Sequence, residues 1–461
     1  MARAFDPRSF RKKLAGVLGL GKSGEAAARL LVRKGFRVLG SDSRPRAELK
    51  KALQRLPPKV SLEGGGHSDR LLSCAFVVKS PGLKPDLPIL KRLAEKGVPV
   101  YSELEVALAF SKAKDLVAIT GTNGKTTTTA LTWEIFKAGL PRGRRALLAG
   151  NVGVPACAVA PGSKLRDVLV VEASSYQLED SAHFEPRAAA VLNLTADHLD
   201  HHGSMAAYLA AKAKVFREQG PGDSCVFNAD DPAVYGLSRS CPSRRLYFGA
   251  PGPHVHAWEE KGKLHFKLPG WGKAVALAPP GLPGRHNLEN AMAAGLLAFA
   301  RGIEPAAVRK AFKAFRGVPH RIQDCGTVRG VRCVDDSKAT NVDSTLMALK
   351  AFDGGGKRLL LILGGLHKGA PYAPLKPEIE RSVKGILTIG AAARRIEEDL
   401  SGLVPIFPCG DLPTAVDAAL RVAAKGDVLL LSPACASFDQ FRDFEDRGRR
   451  FQDLVRAAGA R

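Results

Sequence analysis

The stretch VAITGTNGKTTT, residues 117–128, decides how the central part of this 461-residue chain folds. Its apolar start is typical of a buried strand, and its middle is typical of a glycine-rich loop. The threonine run that follows is typical of the start of a helix. Such a loop surrounds phosphate groups with backbone N–H donors, while its lysine reaches the terminal phosphates and the next hydroxyl binds Mg²⁺. The usual spacing would place a glycine at Ile119, so this is a shorter variant of the P-loop. It predicts a nucleoside triphosphate site at Gly121, Thr122, Asn123, Gly124, Lys125, Thr126 and Thr127.

A P-loop needs an acidic partner for its metal ion at the end of a neighbouring strand. The run Val168–Val171 ends in Glu172, and Ser174 follows closely. A second apolar run, Ala188–Leu192, leads to NLTADH, where a neutral imidazole of His198 could complete the coordination of a divalent cation. These residues predict a magnesium site.

Histidines and lysines further along leave alternatives open. A zinc site at His201 and His202 is one interpretation, but Mg²⁺ prefers oxygen ligands and we expect both side chains in a solvated loop. Residues 205–219 read as a helix with Met205, Leu209 and Phe216 on one face. On spacing alone, Lys212 and Lys214 are expected to be solvated like most helix lysines.

The first part of the chain carries a second glycine-rich turn, Gly19-Leu-Gly-Lys-Ser-Gly24, between a strand-like run and an Ala-rich helix. Backbone amides at such a turn approach a pyrophosphate, and Asp42 at the end of the next strand can accept hydrogen bonds from a ribose. The motif indicates a nucleotide without separating a nicotinamide cofactor from a UDP-sugar. The alternative is a glycine turn needed only for packing.

The last part of the chain places polar clusters after three strand-like runs. They are DDSKATN at residues 335–341, GGLHKG at 364–369 and SPACASFDQ at 432–440. Ligands in α/β domains bind at the carboxyl ends of strands, so these clusters predict a binding face. Cys435 could be a nucleophile, but no base accompanies it in sequence and we expect a packed thiol.

Strand-like runs alternate with helix-like stretches throughout, which predicts an α/β protein built of parallel sheets. Predicted strands include Leu14–Leu18, Phe36–Leu39, Ala75–Val78, Leu116–Ile119, Arg358–Leu363, Gly385–Ile389 and Asp427–Leu431. Residues 223–280 read as mixed strands, and 281–301 as a loop followed by a helix. We predict three domains: a Rossmann-like domain at 1–102, a central P-loop domain with a mostly parallel sheet at 103–317, and a Rossmann-like α/β domain at 318–461.

Composition limits the functional class. The chain carries 69 Lys and Arg against 45 Asp and Glu, a net charge of +24. This surplus could serve nucleic acid, acidic small molecules or merely a solvated surface. With 6% aromatic residues, base-stacking platforms are disfavoured and we expect no nucleic-acid partner. No apolar run reaches the length of a membrane span, no signal-type core follows the basic start, and no CxxC pair occurs. These features predict a cytoplasmic protein with reduced thiols and no membrane partner. We also expect a monomer, which none of these features indicates.

Six motifs, taken in order, closely resemble those of the Mur ligases of peptidoglycan synthesis: TGTNGKT, VEASSYQLE, NLTADH, PHR, DDSKATN and SPACASFDQFRDFEDRG. The resemblance covers nearly the whole chain and is weakest across residues 240–280. SPACASFDQF is typical of the members that add D-glutamate, and the DNPR-type motif of members that add a diamino acid is absent from the sequence.

The resemblance implies ATP-driven amide formation, with UDP-N-acetylmuramoyl-L-alanine, D-glutamate and ATP as substrates and two Mg²⁺ ions as cofactor. It implies catalytic roles for Lys125, Glu172, His198 and Lys212, and metal contacts from Thr126, Glu172, Ser174, His198 and a carbamylated Lys212. Nucleotide contacts would include Asn290, Arg321, Asp336 and Lys338. The UDP-substrate would be held by Ser23, Asp42, Ser43, Arg44, Ser80 and Asn151, and D-glutamate by Thr340, Lys368, Ser437, Phe438 and Phe444.

The chain departs from the family pattern at two places. Leu366-His367 stands where a loop acid is common, which leaves that local contact open, and Ala196 replaces an acid before Asp197. Rival hypotheses are a folylpolyglutamate-type enzyme or a ligase for another amino acid, and a P-loop protein acting on nucleic acid.

Overall fold

The structure, a computed structural model, describes residues 5–10, 12–49, 54–150, 154–195, 199–352, 356–367 and 369–460. The predicted site residues Asn151, His198 and Lys368 lie outside this described part. The chain divides into two compact units, Met1–Pro280 with Leu288–Phe315, and Gly281–Asn287 with Arg316–Arg461. The first unit contains two sheets and the second contains one, in agreement with the expected three-domain α/β fold. The domain boundaries at 102 and 317 stay a prediction.

The first sheet is parallel, with the strand order β3-β2-β1-β4-β5. The order reverses direction at β1, whose carboxyl end leads into the glycine turn at residue 19; this is where open α/β sheets bind ligands. Its strands are β1 (Leu14–Leu18), β2 (Arg37–Asp42), β3 (Val60–Gly64), β4 (Phe76–Lys79) and β5 (Val100–Ser102).

The second sheet has the order β14-β13-β12-β11-β10-β9-β6-β8-β7. Strands β7 to β12 and β6 pair in parallel, while β13 and β14 add an antiparallel edge. Its central strands are continuous apolar runs because helices cover both faces of the sheet. The strands are β6 (Asp115–Thr120), β7 (Ala146–Gly150), β8 (Val168–Glu172), β9 (Ala188–Val191), β10 (Ser224–Asn228), β11 (Arg244–Phe248), β12 (Ala257–Glu260), β13 (Lys263–Phe266) and β14 (Val275–Leu277).

The third sheet has the order β15-β16-β20-β17-β18-β19 and is parallel except for the antiparallel edge strand β15. All six residues of its strand LLLILG at 359–364 are buried. Its strands are β15 (Gln323–Val328), β16 (Val331–Asp335), β17 (Leu359–Gly364), β18 (Val383–Ile389), β19 (Ile406–Gly410) and β20 (Val428–Leu431).

Helices connect the strands and bury their apolar stripes against the sheets. In the first unit they are α1 (Lys22–Arg33), α2 (Pro88–Glu95), α3 (Glu103–Ala109), α4 (Lys125–Gly139), α5 (Ala156–Val159), α6 (Ser175–Glu179), α7 (Leu199–His202), α8 (Met205–Ala213) and α9 (Pro232–Ser238). The remaining helices, in chain order, are α10 (Arg285–Ala300), α11 (Pro305–Ala314), α12 (Val342–Ala351), α13 (Lys376–Ser382), α14 (Ala393–Asp399), α15 (Leu412–Val422) and α16 (Phe444–Gly459). The last five of these belong to the second unit. Short 3₁₀ turns lie at Asp69–Ser73, Ala160–Gly162 and Ala373–Leu375. Across the described ranges, none of the helices has the length and apolar character needed to cross a bilayer.

Two predicted elements differ from the structure in extent. The helix expected over 205–219 ends at Ala213, where Val215 and Phe216 continue as tight turns bonded three residues back. Its apolar face is nonetheless as predicted, because Phe216 is fully buried and Met205 and Leu209 pack on the same core. Residues 223–280 contain the expected strands together with the helix α9, which the turn-rich composition concealed.

Candidate active site

The loop between β6 and α4 has the backbone shape of a phosphate cradle. Gly121 and Gly124 have φ values of +152° and +79°, which favour glycine, and Gly124 is the N-cap of α4. A Cβ on Gly124 would lie 2.3 Å from the Asn290 side-chain oxygen, so the loop and α10 fit together only with glycine here. The N-terminus of α4 thus directly follows the loop, the arrangement that binds phosphate.

Two lysines from different elements meet at this loop. Lys125 Nζ donates hydrogen bonds to the carbonyls of Gly121 at 2.9 Å and Thr122 at 2.6 Å. Lys212 Nζ donates to the same Gly121 carbonyl at 2.7 Å and lies 4.7 Å from the ring centre of Tyr208. Lys212 is only 1% exposed, so the solvated position expected from spacing is wrong. Its burial depends on a loop 91 residues away that helical periodicity does not reveal.

The loop is tied to the segment that follows β9. Thr122 N–H donates to the Asn193 carbonyl at 2.9 Å, and Asn123 N–H donates to the Asn193 side chain at 2.7 Å. The Thr122 hydroxyl lies 3.0 Å from the Tyr208 hydroxyl and accepts from Thr195 N–H at 3.1 Å. The NLTADH motif therefore supports the P-loop through its first residues.

A buried carboxylate stands beside the loop. Glu172 ends β8 and pairs in register with Ile119 of β6, two residues before Gly121, and its side chain is buried. Ser174 begins α6 as the N-cap of a capping box, with its hydroxyl accepting from Gln177 N–H at 3.2 Å. The hydroxyl of Thr126 and the carboxylate of Glu172 are hard oxygen donors, which suit Mg²⁺.

The glycine turn after β1 closes on itself through Ser80. The Ser80 hydroxyl donates to the Gly19 carbonyl at 2.8 Å. A Cβ on Gly24 would lie 1.8 Å from that carbonyl oxygen, so the first turn of α1 can pass over the loop only because residue 24 is glycine. The N-terminus of α1 thus directly follows the glycine turn, the arrangement found at phosphate sites.

The Asp42 carboxylate accepts four hydrogen bonds from groups in its own domain. It accepts from Leu20 N–H at 2.7 Å, from Arg44 N–H at 3.0 Å, and from two guanidinium nitrogens of Arg44 at 2.9 Å each. Burial alone would raise the pKa of Asp42, but these hydrogen bonds outweigh it and lower the pKa to about 2. Asp42 therefore fixes the half-exposed Arg44 side chain, while Ser43 is exposed and Ser23 half-buried.

In the second unit, Asp336 is enclosed at the end of β16. Its carboxylate accepts from Ser432 Oγ at 2.7 Å and from Ile322 N–H at 3.2 Å. Burial raises the pKa of Asp336 to about 7, although the positive charge of Arg321 opposes the rise. The PHR and DDSKATN motifs are thus joined, since His320 also contacts Asp335, with Nδ1 2.7 Å from Oδ2.

A residue that sequence reasoning quoted but did not assign, Arg447, holds this face together. Its fully buried guanidinium donates to the Ser337 hydroxyl and carbonyl, both at 2.9 Å, and to the Cys435 carbonyl at 3.2 Å. Longer contacts reach the carbonyls of Gly364 and Ala436. One side chain therefore connects all three polar clusters that follow strands. The only hint of this in the sequence was that Arg447 lies within the FEDRG part of the last motif.

The described side chains predicted for D-glutamate lie on these clusters. Ser437 is buried, Thr340 and Phe444 are half-buried, and Phe438 is 69% exposed. Lys338 Nζ lies 5.8 Å from the ring centre of Phe444. Cys435 is a packed thiol as expected, with its sulfur 3.0 Å from the Tyr372 hydroxyl.

The position of His201 and His202 contradicts the solvated loop expected for them. Both lie in α7, and both side chains are almost fully buried against Tyr176 of α6. The aromatic contacts and the nearby Glu179 carboxylate account for the burial.

A P-loop at the carboxyl edge of a largely parallel sheet, with a buried acid at the next strand end, places the chain among the nucleotide-binding α/β proteins. Three family models match in chain order: "Mur ligase MurD-like, N-terminal domain" over 13–102, "Mur ligase middle domain" over 119–298, and "Mur ligase, glutamate ligase domain" over 320–435. The chain belongs to the Mur ligase family.

Curated relatives are similar in sequence to this chain over almost its full length. A protein of Elusimicrobium minutum named UDP-N-acetylmuramoylalanine--D-glutamate ligase is 43% identical, with 98% of this chain and 100% of the relative covered. A protein of Anaeromyxobacter dehalogenans with the same name is 46% identical, with 95% and 96% covered.

Solved structures share the fold at low identity. The MurC ligase of Thermotoga maritima is 21% identical with a TM-score of 0.59, covering 97% of this chain and 100% of that one. MurF of Acinetobacter baumannii is 16% identical with a TM-score of 0.60, covering 98% and 92%.

Proposed function

We propose that this protein is the ligase that joins D-glutamate to UDP-N-acetylmuramoyl-L-alanine at the expense of ATP, a step of peptidoglycan precursor synthesis. The convergence of Lys125 and Lys212 on the Gly121 carbonyl, beside Glu172, carries the chemical part of the proposal. The names and near-complete coverage of the curated relatives support the choice of amino acid.

The reaction proposed is a phosphoryl transfer followed by an acyl transfer. The substrate carboxylate attacks the γ-phosphorus of ATP, ADP leaves, and an acyl phosphate forms. The neutral amine of D-glutamate then attacks the acyl carbon, and the tetrahedral intermediate loses its proton and inorganic phosphate to give the amide. Each step brings anionic groups together, so fixed positive charge is what the protein must supply.

The chain's own groups meet this need. Lys125 neutralises phosphate charge, and the loop from Gly121 to Thr127 surrounds the phosphates, with N–H donors from the N-terminus of α4. Thr126 and Glu172 would hold Mg²⁺, which screens the anionic oxygens when bound. We propose two ions, whose coordination Ser174, His198 and Lys212 would help to complete. Lys212 would take part as a carbamate: the ammonium first loses a proton, the neutral amine then bonds to the carbon of CO₂, and loss of a second proton leaves a carboxylate-like ligand.

The remaining predicted residues take substrate roles in this proposal. Arg44, positioned by Asp42, would contact the uridine end together with Ser23, Ser43, Ser80 and Asn151. Asn290, Arg321, Asp336 and Lys338 would contact the nucleotide. The D-glutamate side would be formed by Thr340, Lys368, Ser437, Phe438 and Phe444. We further propose a cytoplasmic monomer with no nucleic-acid or membrane partner.

The test is the release of phosphate from ATP by purified protein with UDP-N-acetylmuramoyl-L-alanine and one of three amino acids. D-glutamate should support release, whereas L-alanine and a diamino acid should not. Equal turnover with all three would defeat the assignment of substrate. Release that depends on added RNA or DNA instead of the UDP-substrate would defeat the ligase assignment altogether.

A further inference from the structure

A second group of metal-binding side chains lies on α6 and α7. Glu179 ends α6, while His201 and His202 end α7. His201 Nε2 is 2.7 Å from one Glu179 oxygen, and His202 Nδ1 is 3.3 Å from the other. One ligand atom from each residue lies within 4.8 Å of the other two. Within the described residues, this is the one group of three such side chains this close together.

The hydrogen bonds within this cluster leave one ring nitrogen of His202 without a partner. Its side chain is 0% exposed, and its Nε2 is 3.0 Å from the Ser175 hydroxyl. Its Nδ1 is buried without a hydrogen-bond partner and faces the Glu179 carboxylate. An imidazole nitrogen in such a place costs free energy unless a proton donor or a cation occupies the space in front of it.

The Ser175 contact accounts for the other ring nitrogen of a neutral His202. With the ring proton on Nε2 donated to the Ser175 hydroxyl, the lone pair of Nδ1 faces the Glu179 carboxylate, and a cation between them would satisfy both groups. The neutral imidazole is the form that ligates metals, and the Ser175 contact on Nε2 orients the ring, as a hydrogen bond to the other ring nitrogen does for histidines that bind metals.

We propose that Glu179, His201 and His202 form a binding site for a divalent transition-metal ion of the zinc class. Two nitrogens and one carboxylate are a common three-residue ligand set for Zn²⁺, with a fourth position for water. Ligand atoms stand about 2.0–2.2 Å from such an ion and so about 3.3–3.6 Å from one another in a tetrahedral site. His201 Nε2 and Glu179 Oε2, now 2.7 Å apart, would therefore open on binding, whereas His202 Nδ1 is already 3.3 Å from the other Glu179 oxygen. The Glu179 side chain is 30% exposed, which gives an ion a path from solvent.

The proposed site differs in chemistry and composition from the magnesium site at the P-loop. Mg²⁺ prefers oxygen ligands, whereas a pair of imidazoles favours softer ions such as Zn²⁺. An ion here would join α6, which follows Glu172 and Ser174, to α7, which follows the segment supporting the P-loop. Because the ion binds the folded chain, it should raise the free energy of unfolding by an amount that grows with the logarithm of its concentration relative to Kd.

The experiment is titration of the full-length, metal-free protein with Co²⁺ and Zn²⁺ in the absence of nucleotide and Mg²⁺. The expected result is one Co²⁺ per chain with the visible absorption of a four-coordinate ion, displaced by Zn²⁺, and a Zn²⁺-dependent rise in Tm. Loss of the absorption in His201→Gln and His202→Gln, with His254→Gln as the exposed control, assigns the ligands. Ser175→Ala should weaken binding by roughly 10-fold or more through the orientation of His202.

Absence of stoichiometric Co²⁺ binding by the wild-type protein overturns the proposal, whether or not the variants fold. Binding that survives in both folded histidine variants overturns it equally. Lys125→Ala should retain the Co²⁺ absorption, so the metal site and the ligase assignment are tested by separate measurements.

Discussion

Lys125 and Lys212 donate hydrogen bonds to a single acceptor, the carbonyl oxygen of Gly121, at 2.9 and 2.7 Å. Lys125 reaches it from the first turn of α4, and Lys212 from the last turn of α8. Two ammonium groups this close repel each other, and the repulsion is relieved when an anion approaches or when one charge is removed. The phosphates of ATP would do the first, and carbamylation of Lys212 would do the second.

The first prediction concerns Lys212. Because we propose that Lys212 acts as a carbamate, Lys212→Ala should lose ligase activity and recover part of it when short carboxylic acids are added. The alanine leaves space in which a small carboxylate can replace the missing anionic ligand. Phosphate release at increasing acetate or propionate concentration measures the recovery.

Lys137→Ala is the matched control, since Lys137 is an exposed helix lysine of the same domain. It should keep normal turnover and show no response to acetate. An unmodified ammonium at Lys212 in a crystal of active enzyme, together with no rescue of the alanine variant, would contradict the carbamate.

The second prediction concerns Lys125, whose charge we propose to offset the phosphates. Lys125→Ala should cost about 2–4 kcal/mol of transition-state stabilisation, as expected for loss of a preorganised electrostatic group. Steady-state kcat/KM for D-glutamate-dependent phosphate release measures it, with the Tm showing that the fold persists. Near-normal turnover would remove the lysine from the mechanism.

Arg447 gives a third prediction, on stability. Its guanidinium is buried among carbonyls of the three loops that form the binding face of the second unit. Burial lowers its pKa to about 10, so the group still carries its charge at neutral pH. Arg447→Met should lower the free energy of unfolding by at least about 3 kcal/mol, because several buried carbonyls lose their donor. Urea unfolding of the full chain measures the loss, and the exposed Arg450→Met variant should change it little.

Much of the fold was predictable because buried parallel strands are short apolar runs. Leu14–Leu18 was predicted with the bounds observed, and the third-sheet strand at Leu359–Gly364 was displaced by one residue. The burial of Lys212, His201 and Arg447 was not predictable from local pattern. Each depends on partners distant in sequence, such as Gly121 for Lys212 and Ser337 for Arg447. Local motifs therefore pointed to candidate residues, whereas the contacts between motifs required the structure.

Glu103, at the start of α3, carries a pH dependence that the sequence did not indicate. One carboxylate oxygen accepts from Cys157 N–H at 2.5 Å, and the other is buried without a hydrogen-bond partner. Burial raises the pKa of Glu103 from 4.5 to about 7, with the Cys157 hydrogen bond opposing the rise. The folded protein therefore binds this proton more tightly than the unfolded chain does.

The fourth prediction concerns Glu103→Gln. The wild-type free energy of unfolding should fall as pH rises from 4.5 to 7, and this substitution should abolish that fall. In this window the folded state holds more protons than the unfolded state, so the wild-type free energy of unfolding falls as pH rises and levels off above 7. The shift corresponds to about 3 kcal/mol for this group. Thermal or urea unfolding at pH 5 and pH 8 should show a smaller difference for Glu103→Gln than for wild type, while the exposed Glu95→Gln variant follows wild type. An equal or larger difference in Glu103→Gln would mean that the carboxylate is ionised in the fold, with a donor at its second oxygen.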